Sequence, residues 1–287
     1  MKSLLISVLA VLAAAYDHGP TYGGSGPYKS KYAFEVESLV NHTFYQPLES
    51  ASGKSKLKLP VIVWGNVGLN FRGFLGEVSS HGALAIATGS IYVDPEDYEA
   101  PPADPNNPAS DQNPAALTEA IDWVHANAGK GDWKHVDASR IGVWGQSCGG
   151  LEAYSAGVDD PRVSHLGIFN SGQLNATAST TMAGRLKKPV FYVLGGPDDV
   201  AYPNGERDYA SLPRGTPAWK GNHALGHSAA FDELNAGIPG TVGRYILQWV
   251  LRGDARAKRW FTGEGPKDVG IADVEFKSLN GIKVSSI

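Results

Sequence analysis

Short apolar runs alternate with amphipathic stretches along most of the chain. The apolar runs lie at 58–64, 83–87, 141–144, 165–169 and 189–194. Runs that are apolar at nearly every position are typical of strands buried on both faces of a parallel sheet. Stretches with helical periodicity lie at about 71–80, 115–128 and 241–251. This alternation predicts an α/β fold, with a mostly parallel central sheet flanked by helices.

Two further stretches follow different patterns. Residues 32–45 alternate between polar and apolar positions, which predicts strand structure. Residues 91–113 contain many prolines and several acidic residues but no Lys or Arg. This composition predicts a long acidic surface loop, which we interpret as a solvated connection rather than a lid over a site.

Length and charge narrow the class of protein. A chain of 287 residues with 42% hydrophobic content can bury one large core. We expect one domain over 16–287. The net charge of −4, without a long basic run, gives no electrostatic footprint for nucleic acid or an anionic membrane surface. We therefore expect no nucleic-acid partner.

The first residues have the pattern of a signal peptide, predicted over 1–15. Lys2 precedes an apolar run at 4–15 that ends in three alanines. This run is shorter than the ~20 residues that a membrane span requires. We expect a secreted, extracellular protein without a membrane span. Asn41 and Asn175 begin N-x-T triplets, which would be glycosylation sites in a secreted glycoprotein.

The chain contains a single cysteine, Cys148. An intrachain disulfide is therefore excluded, and the core must hold itself together without one. A catalytic thiol is one interpretation of such a residue. We favour the other, in which Cys148 is the neighbour of a nucleophilic serine.

The segment 141–150 joins an apolar strand to the pattern G-x-S-x-G, formed by Gly145, Ser147 and Gly149. In a nucleophile elbow the serine occupies a strained turn between strand and helix. The residues two before and two after it are forced together, so only very small residues fit. The strain lifts the hydroxyl to a helix N-terminus, where backbone N–H groups can stabilise an anion. Ser147 is the candidate nucleophile, and an ordinary glycine-rich turn is the alternative.

With these residues the chain resembles the α/β-hydrolase superfamily, in particular secreted fungal-type serine esterases. The resemblance covers roughly 41–262. It rests on H-T-F-Y-Q-P at 42–47, W-G-N at 64–66 and G-x-S-x-G-G-L-E-A at 145–153. It implies an α/β-hydrolase fold without a large cap domain. It also implies a triad whose members follow the chain order serine, acid, histidine.

The resemblance places the acid of the triad in the turn that follows the apolar run ending at Leu194. Asp198 and Asp199 compete for this position. The family often has an apolar residue and a proline three and four positions beyond the acid. Tyr202 and Pro203 match that spacing from Asp199, which favours Asp199. The other aspartate would then serve the turn, where Asp is common.

Two histidines compete for the general base. The sequence around His227, with Gly226 before it and a small residue after it, resembles the family's catalytic histidine loop and favours His227 over His223. The His-x-x-x-His spacing also occurs in zinc sites on a helix. Ala224 stands where a zinc protease would have its glutamate, and Gly226 weakens a helix. We therefore expect no metal.

The fold implied by the resemblance has an oxyanion hole made of two backbone N–H groups. One would belong to Cys148, directly after the nucleophile, and the other to the loop at 65–68, from Asn66 or Val67. This loop departs from the H-G-G-G pattern of many lipases and esterases. Asn66 and Val67 therefore both remain candidates.

These residues predict a serine hydrolase that cleaves small-molecule or polymeric carboxylic esters without a cofactor. The same triad could act on polyester, cutin-like or plant cell-wall esters, or on a peptide bond, because specificity depends on pocket shape. A non-catalytic secreted binding protein with the same fold is the alternative from another class. The sequence leaves the oligomeric state open.

Overall fold

The structure, a computed structural model, describes residues 23–48, 56–66, 68–91 and 113–284. The predicted signal peptide at 1–15 and almost all of the acidic segment at 91–113 lie outside these ranges. Val67 also lies outside them. The interpretations of these residues therefore remain predictions.

Nine β-strands form one sheet. They are β1 (Ser30–Val36), β2 (Leu39–Pro47), β3 (Leu59–Gly65), β4 (Leu84–Thr88), β5 (Val136–Gln146), β6 (Val163–Phe169), β7 (Val190–Leu194), β8 (Ala218–Asn222) and β9 (Ala272–Lys277). Their order in the sheet is β1-β2-β4-β3-β5-β6-β7-β8-β9. Neighbouring strands from β4 to β8 run parallel, whereas β1, β2 and β9 pair antiparallel. The predicted α/β architecture with a mostly parallel sheet is confirmed.

The five apolar runs of the sequence coincide with the parallel strands β3 to β7, although three of the runs begin one residue before the strand. β3 shows the reason, since all seven of its residues are buried. The stretch at 32–45 forms the end of β1 and most of β2, which pair with each other as an antiparallel hairpin. β8 and β9 were not predicted. β8 is buried at all five positions, but Lys220, Gly221 and Asn222 interrupt its apolar pattern. β9 lies at the sheet edge, and its residues are exposed or partly exposed, so it lacks the apolar signal of the central strands.

Helices cover both faces of the sheet. They are α1 (Arg72–Ser80), α2 (Pro114–Asn127), α3 (Cys148–Gly157), α4 (Ala176–Met182), α5 (Tyr202–Ser211), α6 (Gly237–Ile246), α7 (Ala255–Thr262) and α8 (Gly265–Asp268). Residues of α2 and α3, including Leu117 and Tyr154, pack into one apolar cluster. Residues of α1, α6 and α7, including Phe74, Ile246 and Phe261, form a second cluster. A parallel sheet with a core on each face is the result.

The ends of two predicted helices follow from local sequence. α2 begins with Pro114, and the Asn113 side chain accepts a hydrogen bond from the Ala116 amide over 3.3 Å. This is the N-terminal capping that Asn and Pro favour. The helix predicted at 241–251 starts earlier, as α6, and continues as a π-helical turn over Leu247–Leu251. The prediction of a helix there is confirmed, with different bounds.

The parallel strands bring several loops to one edge of the sheet. β3, β5, β6, β7 and β8 run in the same direction, so the segments that follow them all lie at their carboxyl ends. In open α/β sheets this edge is where ligands commonly bind. Asn66, Ser147, Cys148, both candidate aspartates and both candidate histidines lie in these segments.

Candidate active site

Ser147 occupies the turn between β5 and α3. Its backbone has φ 54° and ψ −124°, a conformation that a residue with a side chain rarely adopts. Such conformations cost about 1–3 kcal/mol and persist only where the surrounding structure imposes them. α3 begins at the next residue, so the Ser147 side chain lies at the N-terminus of that helix.

The glycines on either side of Ser147 are required by close backbone contacts. A Cβ atom on Gly145 would lie 2.1 Å from the carbonyl oxygen of Gly149. A Cβ atom on Gly149 would lie 2.2 Å from the carbonyl oxygen of Gly65, at the end of β3. Both clashes involve main-chain atoms, which cannot rotate away. The G-x-S-x-G spacing therefore follows from the contact between strand, turn and helix.

Three hydrogen bonds hold the main chain of Ser147. Its N–H donates to the carbonyl of Phe169, at the end of β6, over 3.1 Å. Its carbonyl accepts from the Gly150 amide over 3.0 Å and from the Ser171 hydroxyl over 2.6 Å. These contacts tie the strained turn to the neighbouring strand and to the loop after it.

Asp199 lies in the loop after β7, and its side chain is fully buried. Its carboxylate accepts hydrogen bonds from His227, the Ala201 amide, the Asn170 side chain and the Gly195 amide. Burial alone would raise the pKa of Asp199. The hydrogen bonds from His227, Ala201 and Asn170 outweigh that effect and hold the pKa below its ordinary value, so the carboxylate is charged at neutral pH.

His227, in the loop after β8, lies between Asp199 and Ser147. Its Nδ1 atom is 2.6 Å from Oδ1 of Asp199, and its Nε2 atom is 2.9 Å from Oγ of Ser147. A charged carboxylate can only accept, so Nδ1 carries the proton in this contact. In the neutral imidazole Nε2 is then the acceptor, and the Ser147 hydroxyl donates to it. The structure thus brings the three predicted residues into one chain of hydrogen bonds.

The competing candidates, Asp198 and His223, have different surroundings from Asp199 and His227. Asp198 is exposed, beside the buried Asp199. His223 directly follows β8 and is 1% exposed, and neither of its ring nitrogens has a hydrogen-bond partner among the described residues. Burial lowers the pKa of His223 to about 4, although the charge of Asp199 opposes the shift. His223 is therefore a neutral core residue at neutral pH, and the imidazole at the Ser147 hydroxyl belongs to His227.

The two sides of the predicted oxyanion hole meet at the start of α3. Cys148 is the first residue of that helix and is exposed. Asn66 follows β3 with φ 98°, and its backbone nitrogen lies 2.8 Å from the position that a Cβ atom on Gly149 would occupy. The loop after β3 therefore lies against the first turn of α3. Val67, the second candidate donor of this loop, lies outside the described residues.

Two side-chain carboxamides at this edge were not predicted from the sequence. Asn170 directly follows β6 and contacts Asp199, and Gln146 is the last residue of β5 and contacts the main chain of His227. Both are polar residues placed directly after or at the end of an apolar strand, next to loops that carry candidate residues. That position was the available signal, because a buried polar group at such an end needs a partner.

Two kinds of feature are absent from the described residues. No group of three or more His, Cys, Asp or Glu side chains is arranged to hold a metal ion there. No helix in the ranges the structure describes is long and apolar enough to cross a membrane.

Comparison with known proteins adds no relative. No model of a protein family matches the chain, and no curated protein matches it.

Proposed function

We propose that the protein is a serine hydrolase of α/β-hydrolase fold that cleaves carboxylic esters through an acyl-enzyme intermediate. The observation that carries the proposal is the hydrogen-bonded chain from Ser147 through His227 to the buried, charged Asp199. A serine hydroxyl is a weak nucleophile unless a base takes its proton, and that base needs an orienting group. The strained turn at a helix N-terminus supports the same assignment.

The reaction follows from these contacts. Ser147 Oγ attacks the ester carbonyl carbon while Nε2 of His227 accepts the hydroxyl proton, and Asp199 stabilises the imidazolium. The carbonyl double bond becomes a C–O⁻ single bond. When the double bond re-forms, the bond to the alcohol breaks, and His227 returns its proton to the leaving alkoxide. A water molecule, activated by the same imidazole, then releases the acid and restores the serine.

Two backbone N–H groups would stabilise the oxyanion. The first belongs to Cys148, because the N–H groups at the N-terminus of a helix carry partial positive charge. The second comes from Asn66 or Val67. A donor of this kind is worth ~2.7–4 kcal/mol of transition-state stabilisation. The chemistry uses the main chain, so the thiol of Cys148 takes no part in the reaction.

Secretion is a further part of the proposal. Lys2, the apolar run at 4–15 and the small residues that end it support cleavage near residue 15. N-terminal sequencing of protein recovered from the medium of a secreting host tests this directly. A first residue near Tyr16 is expected, and an intact Met1 would contradict it.

Hydrolysis of p-nitrophenyl esters of different chain length tests the proposed activity. We expect turnover by the wild-type protein and a loss of ~10⁶-fold in Ser147→Ala, as found where a complete triad acts as a unit. Feruloyl, acetyl-sugar, polyester and peptide substrates in the same panel identify the acyl substrate class. Equal turnover by Ser147→Ala and wild type would reject the assignment of the nucleophile. If the protein hydrolyses none of these substrates and Ser147 does not react with a fluorophosphonate, a non-catalytic binding protein is favoured.

A further inference from the structure

The loop that carries His227 is largely exposed. Ala224, Leu225 and Ser228 all face solvent, and Gly226 has φ 70°. A loop with so little burial has few packing contacts to fix it, so it needs other restraints. A catalytic imidazole must nevertheless stay within hydrogen-bond distance of two partners, because misplacement by about 1 Å can cost ~100-fold in rate.

Two buried carboxamides hold consecutive carbonyl groups of this loop. Asn170 Nδ2 donates to the carbonyl of Gly226 over 2.9 Å. Gln146 Nε2 donates to the carbonyl of His227 over 2.9 Å. Asn170 is fully buried and Gln146 is 3% exposed. Gln146 is the last residue of β5 and Asn170 directly follows β6, so the loop is held at two separate points.

Each carboxamide also contacts a second part of the candidate active site. Asn170 Nδ2 donates to Oδ2 of Asp199 over 3.0 Å. Gln146 precedes Ser147, and its Oε1 atom accepts from Asn66 Nδ2 over 3.3 Å. Asn170 therefore joins the acid to the histidine loop. Gln146 joins the histidine loop to the nucleophile turn and to the loop after β3.

The orientation of both amides follows from their neighbours. One end of Asn170 faces a carboxylate and a carbonyl, which are both acceptors, so that end is the NH₂ group. One end of Gln146 faces the His227 carbonyl and must also be NH₂. Its other end then presents an oxygen to Asn66 Nδ2, which also donates to the Gln146 carbonyl over 3.2 Å. The network has one consistent arrangement.

The backbone of Asn170 indicates that its position is constrained. Its φ of 44° is rare for a residue with a side chain, although Asn tolerates such angles better than most. Its N–H donates to the Val193 carbonyl over 2.8 Å, which ties it to β7. This geometry aims the carboxamide between Asp199 and the histidine loop.

We propose that Gln146 and Asn170 form a carboxamide clamp that positions the His227 imidazole between Asp199 and Ser147. The inference rests on the proposed function, since a positioned imidazole matters for acyl transfer. Neither residue touches the reacting atoms, so both are positioning residues. Their loss should lower kcat more than it raises KM, because the substrate still binds while the proton-transfer geometry is lost.

The test uses Gln146→Met and Asn170→Gly in the mature chain. Methionine is close to glutamine in shape but cannot donate to a carbonyl. Glycine removes the carboxamide while accepting the positive φ at position 170. Matched controls are Gln46→Met, at a similarly buried glutamine in β2, and Asn235→Gly, at a half-buried asparagine with φ 55°. In the sheet, β4 and β3 separate β2 from β5, so Gln46 is distant from the candidate active site.

Two readouts separate positioning from folding. The first is kcat and KM on a p-nitrophenyl ester, where each clamp variant is expected to lose ~100-fold in kcat with little change in KM. The second is the proton NMR signal of His227 Nδ1–H, which a short bond to Asp199 moves far downfield. In the clamp variants we expect this signal to weaken or move upfield, whereas both controls keep the wild-type values.

Wild-type kcat together with an unchanged Nδ1–H signal in folded Gln146→Met and Asn170→Gly would overturn the proposal. Gln146→Met introduces neither charge nor a large cavity. If Asn170→Gly fails to fold, the kcat and the signal of Gln146→Met decide the question. If the wild-type protein hydrolyses no ester, the proposed function fails separately, and the NMR signal still reports on the clamp.

Discussion

Nδ1 of His227 lies 2.6 Å from Oδ1 of Asp199, and the remaining acceptor capacity of that carboxylate is also in use. Oδ1 accepts from the Ala201 amide over 2.8 Å, while Oδ2 accepts from Asn170 and from the Gly195 amide. The carboxylate is therefore held by both of its oxygens. A fixed, charged acceptor of this kind selects the imidazole tautomer with its proton on Nδ1.

Replacement of Asp199 by asparagine should remove that selection. In Asp199→Asn the neutral amide no longer stabilises an imidazolium, and its NH₂ group can favour the wrong tautomer. We expect kcat to fall by ~10⁴-fold, the size of effect seen when a triad aspartate is replaced in this way. The measurement is turnover of a p-nitrophenyl ester at saturating substrate.

Asp198→Asn is the matched control. The same chemical change is made one residue earlier, at an exposed position. We expect activity close to that of the wild type. If Asp198→Asn lost activity while Asp199→Asn kept it, the assignment of the acid would be wrong.

The glycines around the elbow give a prediction about stability. In Gly149→Ala the new methyl group would lie 2.2 Å from the Gly65 carbonyl oxygen, so strand, turn or helix must shift. Overpacking of this kind costs about 1–3 kcal/mol. A displaced Ser147 should also lose ~100-fold in turnover. Chemical denaturation and the ester assay measure the two effects.

Gly184→Ala is the control for Gly149→Ala, at a glycine where a methyl group should be tolerated. A Cβ atom at Gly184 would be 3.6 Å or more from its nearest neighbours, an ordinary van der Waals distance. Stability and turnover should both stay near the wild-type values. Equal stability of Gly149→Ala and Gly184→Ala would mean that the close approach at the elbow is absent.

The burial of His223 predicts that the protein loses stability in mild acid. Its pKa is lowered from 6.5 to about 4 by burial in the folded protein. Between these values the unfolded chain binds a proton that the folded chain excludes, so the free energy of unfolding falls as pH decreases from 6.5 towards 4. Below pH 4 this one group has lowered the free energy of unfolding by its full amount, about 3 kcal/mol.

Urea denaturation of wild type and His223→Gln at several pH values measures this contribution. The variant loses packing at every pH, so its neutral-pH stability is the reference for its own curve. Its stability should fall less steeply than that of the wild type between pH 6.5 and 4. Parallel curves for the two proteins would contradict a neutral, buried His223.

The central part of the fold could be predicted because burial on two faces leaves a strong sequence signal. The run at 58–64 is apolar at nearly every position, and β3 is buried throughout. β9 gave no such signal, since it pairs only with β8 and its residues are exposed or partly exposed. Its place depends on hydrogen bonds to a neighbouring strand, which a sequence pattern does not record.

The candidate site was predictable to a different degree at each position. Ser147 is marked by glycines whose spacing has a local steric cause. His223 and His227 are both close to β8 in sequence. The choice between them depends on which imidazole lies between Asp199 and Ser147, and this is decided by tertiary structure. Gln146 and Asn170 act through main-chain carbonyls of a distant loop. Such contacts depend on tertiary structure and leave little trace in a single sequence.

Covalent labelling of Ser147 tests the central claim most directly. A fluorophosphonate reacts with a serine whose hydroxyl is activated by a neighbouring base, so the product identifies the nucleophile without knowledge of the substrate. Peptide mapping by mass spectrometry after treatment of the wild-type protein should place one adduct on Ser147, and labelling should slow greatly in His227→Ala. An unmodified Ser147, or an adduct on another residue, would contradict the account.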